Sequence, residues 1–201
     1  MPQNSQFFVF EGIDGSGKTT VSRLVSEALL TKSIPNLWHR EPTDSVYGKK
    51  IREFLLGKLK LSKEEQIETF IADRECSVNE VILPTLKDGK SIIQDRYYFS
   101  TAAYQGRDEE HAAEILYKNE DKGFPEPNRV YFLDLSPEES ADRRKSRGGK
   151  EEVFDEDSEQ ERIYQNYLAI LPESTIFVDA TAELEEVVNF CVEDILKSLE
   201  T

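Results

Sequence analysis

Residues 7–20 read FFVFEGIDGSGKTT, and this stretch decides the fold. Residues 7–11 are mostly apolar and predict a buried strand. Residues 12–19, GIDGSGKT, match the pattern G-x-x-x-x-G-K-T. After them, apolar side chains recur at helical spacing, at Val21, Leu24, Val25, Ala28 and Leu29. A strand, a glycine-rich loop and a helix in this order are the context of a phosphate-binding loop, so the sequence predicts that the chain binds a nucleoside triphosphate.

The chemistry of this loop depends on its backbone and on two side chains. Glycines let the chain curl so that successive N–H groups point at phosphate oxygens, and the helix that follows adds its positive N-terminal end. We expect Lys18 to reach the β- and γ-phosphates and the Thr19 hydroxyl to coordinate Mg²⁺. The predicted nucleotide-binding residues of the loop are Gly12, Ile13, Asp14, Gly15, Ser16, Gly17, Lys18, Thr19 and Thr20.

The rest of the chain alternates short apolar runs with helical stretches. Further strands are predicted at residues 37–41, 91–95, 129–135 and 175–179. Because most of these runs are apolar throughout, the strands are expected to be buried on both faces, as in a parallel sheet with helical crossovers. The predicted fold class is α/β, with a five-stranded parallel sheet flanked by helices on both faces in a single domain over residues 1–201.

One segment lacks a clear pattern. Residues 148–161, GGKEEVFDEDSEQE, are acidic and show no apolar period before Ile163. The segment is either a solvated loop or a mobile lid. We expect a short lid at about residues 143–157, with the pair Gly148 and Gly149 as a hinge.

Composition excludes several classes of function. The 201 residues include 25 Lys and Arg against 40 Asp and Glu, a net charge of −15, which disfavours binding to nucleic acid polymers or to anionic membranes. Two distant cysteines and the absence of a long apolar run or a basic N-terminal leader favour a soluble, cytoplasmic protein. The chain also has neither the Asn-Lys-x-Asp motif of GTPases nor the LSGGQ-like signature of transport ATPases. A kinase for a small molecule remains.

Candidate acceptor residues follow the predicted strands. Arg40 and Arg96 stand just past two strand ends, where ligands of a parallel α/β sheet collect, and together they predict a pocket for an acceptor phosphate. Asp95 closes its strand, where it could hold the Mg²⁺ shell or orient Arg96; a purely structural Asp–Arg pair is the alternative. Phe70 and Arg74 are helical neighbours, which suggests a nucleobase held between a ring and a guanidinium, or else an arginine at the edge of the core.

These residues belong to longer motifs that resemble the thymidylate kinase family. The motifs are GIDGSGKTT, REP, FIADR, DRYYFSTAAYQG and VDAT, and the resemblance spans about residues 8–182. It implies transfer of a phosphoryl group from ATP to dTMP, with Mg²⁺, in a homodimer. A phosphate acceptor needs no general base, so positioning and charge neutralisation by arginines would be the main tasks.

The resemblance also implies individual roles. Asp14 would bind the deoxyribose 3′-hydroxyl, Arg40 and Arg96 the acceptor phosphate, and Phe70 would stack on thymine. The implied substrate-binding residues are Asp14, Arg40, Phe70, Arg74, Arg96, Ser100, Tyr104 and Gln105, with Tyr104 excluding a 2′-hydroxyl. Asp179, Ala180 and Thr181 would lie near the adenine of ATP, and Arg143 would be a further ATP-binding residue.

The source of one further cation separates members of this family. Some place an arginine inside the phosphate-binding loop, but Asp14, Gly15 and Ser16 provide none, so the chain resembles the bacterial type, in which a lid supplies it. We expect Arg147 to contact the transition state, with Arg143 and Arg144 as alternatives; the expected catalytic set is Lys18, Asp95, Arg96 and Arg147. Family lids commonly carry Asp-Arg-apolar-Glu, whereas residues 151–155 read EEVFD and lack that second arginine.

Two other interpretations stay open. The chain could be a kinase for another small acceptor, although Arg40 and Arg96 favour an acceptor that already bears a phosphate. It could instead be a nucleotide-binding module without catalytic activity, which the intact Lys18, Thr19 and Asp95 disfavour.

Overall fold

The computed structural model describes residues 5–147, 153–154 and 156–200, with the side chain of Arg147 excepted. The described residues form a five-stranded parallel sheet in the order β2-β3-β1-β4-β5. The strands are β1 (Phe7–Glu11), β2 (Asn36–Arg40), β3 (Ser91–Asp95), β4 (Arg129–Asp134) and β5 (Ile176–Asp179). The prediction of a five-stranded parallel α/β fold is therefore confirmed, and the strand ends differ from the predicted ones by at most one residue.

Helices connect the strands and cover the sheet. They are α1 (Lys18–Thr31), α2 (Val46–Leu55), α3 (Lys63–Ser77), α4 (Leu83–Lys87), α5 (Tyr98–Gln105), α6 (Glu109–Glu120), α7 (Pro137–Arg147), α8 (Asp157–Ile170) and α9 (Leu184–Leu199). Between α3 and α4 the chain widens into a π-helical turn, Val78–Ile82. Pro84, which lacks an N–H and crowds the carbonyl four residues before it, accounts for this break in the apolar helical stretch of residues 63–86.

Apolar side chains on β1 point alternately to the two faces of the sheet. Phe7 and Val9 join a core that includes buried residues of α3, α5, α6 and α8, whereas Phe8 and Phe10 join a second core with α1 and α9. All five side chains of β1 are buried, as expected for the centre of a parallel sheet. The sheet is thus covered on both faces.

The last residues of the acidic segment before Ile163 are helical. Helix α8 begins at Asp157, so the alternative of a solvated loop is wrong for residues 157–161. Asp157 and Glu159 lie in the first helical turn, where carboxylates interact favourably with the helix dipole. Residues 148–152 and 155, at the centre of the expected lid, lie outside the described part of the chain.

The topology collects the predicted site residues at one edge. The carboxyl ends of the parallel strands β1, β2 and β3 lie together and carry the glycine-rich loop, Arg40 and Asp95 respectively. Among the described residues, no helix combines the length and the apolar character that crossing a bilayer requires.

Adjacent leucines on α1 allow a test of this packing. Leu29 is fully buried in the α1–α9 core, whereas Leu30 is 53% exposed. We expect Leu29→Ala to lower the free energy of unfolding by about 2–5 kcal/mol, because it leaves a cavity, and Leu30→Ala to change it by less than about 0.5 kcal/mol. Urea denaturation of both variants measures the difference. Similar losses in the two variants would contradict the orientation of α1.

Candidate active site

The glycine-rich loop after β1 has the backbone geometry that phosphate binding requires. Gly12, Gly15 and Gly17 all have positive φ, of 147°, 87° and 91°. A Cβ on Gly12 would lie 2.7 Å from the Ser16 hydroxyl oxygen and 2.9 Å from the Leu133 carbonyl oxygen. Only glycine, which has no side chain, therefore fits this tight turn. The loop leads directly into α1, whose N-cap is Gly17. Since Gly17 has no side chain to cap the helix, the N–H groups of this helix end remain directed at the loop.

The side chain of Lys18 packs against the backbone of the glycine-rich loop. It is buried, and its ammonium donates to the Ile13 carbonyl at 2.7 Å. Burial and the nearby Arg96 charge lower the pKa of Lys18 to about 7. A bound phosphate would favour the charged form of Lys18, which fits the predicted role of this residue in phosphate binding.

Thr19 and Asp95, the two predicted Mg²⁺ ligands, lie together in the structure. The Thr19 hydroxyl donates to Asp95 Oδ2 at 2.5 Å. The other oxygen of this fully buried carboxylate, Oδ1, has no hydrogen-bond partner among the described residues. In the described part of the chain, no cluster of three or more His, Cys, Asp or Glu residues could hold a metal ion. The pair therefore fits a cation that shares its remaining ligands with phosphate and water.

Arg96 links the loop to the acceptor side of the site. It has a φ of 67°, unusual for a residue with a side chain, and it follows β3 directly. Its guanidinium donates to the Asp14 carboxylate, to the Ser100 hydroxyl at 3.1 Å and to the Tyr104 hydroxyl at 3.2 Å. Burial would raise the pKa of Asp14, but the charges of Arg96 and Lys18 hold it below its ordinary value.

A cleft of about 830 Å³ runs from the glycine-rich loop to α3 and α5. Of the predicted site residues, Asp14, Gly15, Gly17, Lys18, Thr19, Thr20, Arg40, Phe70, Arg96, Ser100, Tyr104, Gln105 and Arg143 line it. Arg40 is half-exposed, with its Nε 3.6 Å from Asp95 Oδ2. The donor and acceptor halves of the predicted site therefore share one cavity.

Gln105 marks the inner wall of the acceptor half. It is fully buried, and neither atom of its amide has a hydrogen-bond partner among the described residues. A buried amide without partners destabilises a protein unless a ligand satisfies it. A planar ligand with both a donor and an acceptor on its edge, such as a pyrimidine base, would do so.

Arg74 lies below this wall rather than along the cleft. Arg74 is 1% exposed, and its guanidinium donates to Glu41 at 2.7 Å, to Asn119 at 2.7 Å and to Thr101 at 3.1 Å. The alternative of an arginine extending from the edge of the core is therefore wrong. Its Nε is buried and has no hydrogen-bond partner among the described residues. Arg74 holds a buried ion pair in addition to any role in binding.

Two of the expected ATP-binding residues, Arg143 and Ala180, also come together. Arg143 on α7 donates to the Ala180 carbonyl at 2.7 Å, just past the end of β5. The structure brings Gly12, Ile13, Ser16 and Ala180 close to the cleft without placing them in its lining. Arg147 ends α7, and its side chain lies outside the described atoms.

Three residues near the loop were not found from the sequence. Gln160 is fully buried; its amide accepts from the Asp14 N–H at 3.2 Å and donates to the Phe154 carbonyl at 2.7 Å. Ser140 donates to the Asp14 carbonyl. Phe154 is buried in the cleft wall, with its ring centroid 5.5 Å from that of Tyr104. An isolated glutamine or serine gives no sequence signal, although an apolar residue in an acidic stretch is a reason to expect burial of Phe154.

Comparison with known proteins identifies one family. The thymidylate kinase family model matches residues 10–191. The chain is 41% identical over 195 residues to the thymidylate kinase of Leptospira interrogans serovar copenhageni, which covers 97% of this chain and 96% of that protein. It is 41% identical to the thymidylate kinase of Leptospira borgpetersenii over 96% of this chain and 94% of that one. It is 40% identical to the probable thymidylate kinase of Archaeoglobus fulgidus over 88% of each.

The Arg74–Glu41 pair provides a stability test of the acceptor wall. We expect Arg74→Met to lower the free energy of unfolding by about 3–5 kcal/mol, because it leaves the Glu41 carboxylate buried and unpaired. Lys90→Met, which breaks an exposed pair with Asp88, is the control and should cost less than about 1 kcal/mol. Thermal and urea denaturation measure both. A loss below about 1 kcal/mol for Arg74→Met would contradict the buried pair.

Proposed function

We propose that this chain, which belongs to the thymidylate kinase family, transfers the γ-phosphoryl group of ATP to dTMP and so produces dTDP for dTTP synthesis. The observation that carries the proposal is the single cleft in which the glycine-rich loop and Arg96 meet Phe70 and the unsatisfied amide of Gln105. One end suits a triphosphate, and the other suits a nucleobase attached to a phosphate. The family match over residues 10–191 supports the same reaction.

The donor half would hold ATP by its phosphates. Backbone N–H groups of the loop and the start of α1 would bind the β- and γ-phosphate oxygens, and the Lys18 ammonium would move from the Ile13 carbonyl to them. Thr19 and Asp95 would hold Mg²⁺, which when bound neutralises charge on the phosphates. Arg143, beside the Ala180 carbonyl, would contact the adenine.

The acceptor half would hold dTMP in line with the donor. Arg96 already bonds Asp14 and Tyr104, so an incoming phosphate would replace part of this pairing rather than approach an unpaired cation. Arg40, half-exposed at the end of β2, would reach the same phosphate. Phe70 would stack on the thymine ring while Gln105 hydrogen-bonds its edge.

Asp14 would exchange its Arg96 partner for the deoxyribose 3′-hydroxyl. The ring of Tyr104 would lie where a ribose 2′-hydroxyl would otherwise fit. Together these contacts would align the two substrates, since positioning is worth much of the barrier in a phosphoryl transfer. No residue needs to remove a proton, because the acceptor is already an anion.

We further propose that residues 143–157 act as the lid of a single domain over residues 1–201, and that Arg147 supplies the cation over the transferring phosphoryl group. The proposal rests on α7, which carries Arg143 and Arg144 to the cleft and continues to Arg147. The family also leads us to propose a homodimer in the cytoplasm.

A panel of acceptors tests the reaction. With ATP and Mg²⁺, we expect ADP release with dTMP, a lower rate with dUMP and none with thymidine, which lacks the acceptor phosphate. dUMP lacks the methyl group of dTMP, whose burial contributes about 0.8 kcal/mol, so kcat/KM should be about four-fold lower with dUMP. Turnover of thymidine would contradict the phosphate pocket. A preference for dTMP over dUMP above about a thousand-fold would contradict this account of the base pocket.

The lid arginine can be tested on α7 itself. We expect Arg147→Ala to lower kcat by about 100-fold or more and to change the KM for dTMP far less, because its cation would act on the transition state. Lys145→Ala, at an exposed position of the same helix, is the control and should leave kcat unchanged. Steady-state kinetics separates the two parameters. An unchanged kcat in Arg147→Ala would transfer the role to Arg143 or Arg144.

A further inference from the structure

Glu11 is a buried carboxylate that the proposed reaction does not use. It ends β1, directly before the glycine-rich loop, and is 0% exposed. Its two oxygens accept from the backbone N–H groups of Tyr97 at 2.8 Å and Ser100 at 3.3 Å, and from the hydroxyls of Ser100 at 2.6 Å and Tyr167 at 2.9 Å. All four partners are donors, so the site is built for an acceptor-only group, the carboxylate.

The bonds from the Tyr97 and Ser100 N–H groups make Glu11, on β1, a cap for helix α5, which follows the neighbouring strand β3. Helix α5 begins at Tyr98, and its N-cap residue Tyr97 makes no side-chain cap bond. An N-cap side chain normally accepts from an N–H of the first helical turn, and here Glu11 accepts from Ser100, the third helical residue. The negative charge also interacts favourably with the positive end of α5. Glu11 thus supplies the cap that the sequence of α5 lacks.

This cap adjoins the strained residue of the site. Arg96 immediately precedes the N-cap and has a φ of 67°, a conformation that a residue with a side chain keeps only when its surroundings hold it. Its own N–H donates to the Phe10 carbonyl at 3.0 Å. The bond from the Tyr97 N–H to Glu11 fixes the next peptide. Both anchors of Arg96 are therefore adjacent residues of β1.

The Ser100 hydroxyl connects Glu11 to the Arg96 guanidinium as well as to its backbone. Arg96 Nη1 donates to the Ser100 hydroxyl oxygen at 3.1 Å, and the same hydroxyl lies 2.6 Å from Glu11. Because a carboxylate can only accept, the Ser100 proton points at Glu11 and its oxygen lone pairs face Arg96. A neutral amide at position 11 would remove the charge and could donate to Ser100, which would compete with Arg96 for the same oxygen.

We propose that Glu11 is a positioning residue that holds Arg96 ready for the acceptor phosphate, through the cap on α5 and through the hydroxyl of Ser100. This inference rests on the proposed function, in which Arg96 binds the phosphate of dTMP. It assigns to Glu11 an effect on the acceptor half of the cleft, although the residue precedes the loop that would bind ATP.

Glu11→Gln tests the inference, with Asp194→Asn as a matched control. Asp194 is a carboxylate on α9 that accepts from a tyrosine hydroxyl, that of Tyr131 at 2.7 Å, away from the cleft. We expect Glu11→Gln to raise the KM for dTMP by about ten-fold, the loss expected for one buried charged hydrogen bond, and to change the KM for ATP by less than about two-fold. Stabilisation against heat by dTMP should fall in the same variant, while stabilisation by ATP should persist. Asp194→Asn should leave both KM values unchanged.

Tyr167→Phe provides a second route if Glu11→Gln does not fold. It removes a hydroxyl that lies 2.9 Å from Glu11 and 2.8 Å from the Ser100 hydroxyl, and it leaves the cap on α5, so we expect the KM for dTMP to rise about three-fold with that for ATP unchanged. Tyr131→Phe is its control. A KM for dTMP within about 1.5-fold of the unmodified chain in Tyr167→Phe would overturn the inference.

The remaining outcomes separate this inference from the proposed function. If the unmodified chain turns over dTMP and Glu11→Gln leaves its KM within about two-fold, or raises both KM values equally, Glu11 does not position Arg96 and only this inference fails. If the unmodified chain neither binds nor phosphorylates dTMP, the proposed function fails and the inference is overturned with it.

Discussion

The parallel pairing of β1 with β3 is the constraint on which the site depends. It aligns Phe10 with Asp95, so that the glycine-rich loop after β1 and Arg96 after β3 leave the sheet side by side. This register allows Thr19 to bond Asp95 and Asp14 to contact Arg96. In a parallel sheet a slip of one residue would turn the side chains of β3 to the opposite face, and both contacts would be lost.

The apolar strands secure this register because both faces of the sheet are covered. Residues of β1 alternate between two cores, so neither face can shift without exposing large side chains. The charged groups that β2 and β3 contribute to the site then lie at the strand ends, at Arg40 and Asp95. The rigid core thereby fixes carboxylates beside the cations of the cleft, with Asp95 beside Arg40 and Asp14 beside Arg96.

The sequence predicted the features that short contiguous patterns encode. The loop at residues 12–19, the five strands and the position of Arg40 and Asp95 at strand ends all follow from local spacing and from the geometry of parallel sheets. Contacts between distant segments do not. Gln160 reaches the Asp14 N–H across 146 residues, and Arg74 reaches Asn119 across 45. The partners of such residues depend on packing, which periodicity does not describe. The break at Val78–Ile82 depends on Pro84, which lies within the apolar helical stretch of residues 63–86 and does not interrupt its spacing.

Buried carboxylates lie beside the arginines of the predicted acceptor half and neutralise their charge. Glu11, Glu41 and Asp95 are each at most 4% exposed, and each is at or next to the end of a strand. Burial raises the pKa of Glu41 to about 7 despite the Arg74 charge beside it, which shows how strongly this interior disfavours isolated charge. Cations and anions must therefore be buried as pairs. Glu41 stays with Arg74 inside the wall, whereas Asp14 and Arg96 lie at the cleft, where an incoming phosphate would take over one partner in the proposed reaction. The difference in burial between these two pairs separates Arg74, which is enclosed in the core, from Arg96, which we propose as a phosphate-binding residue.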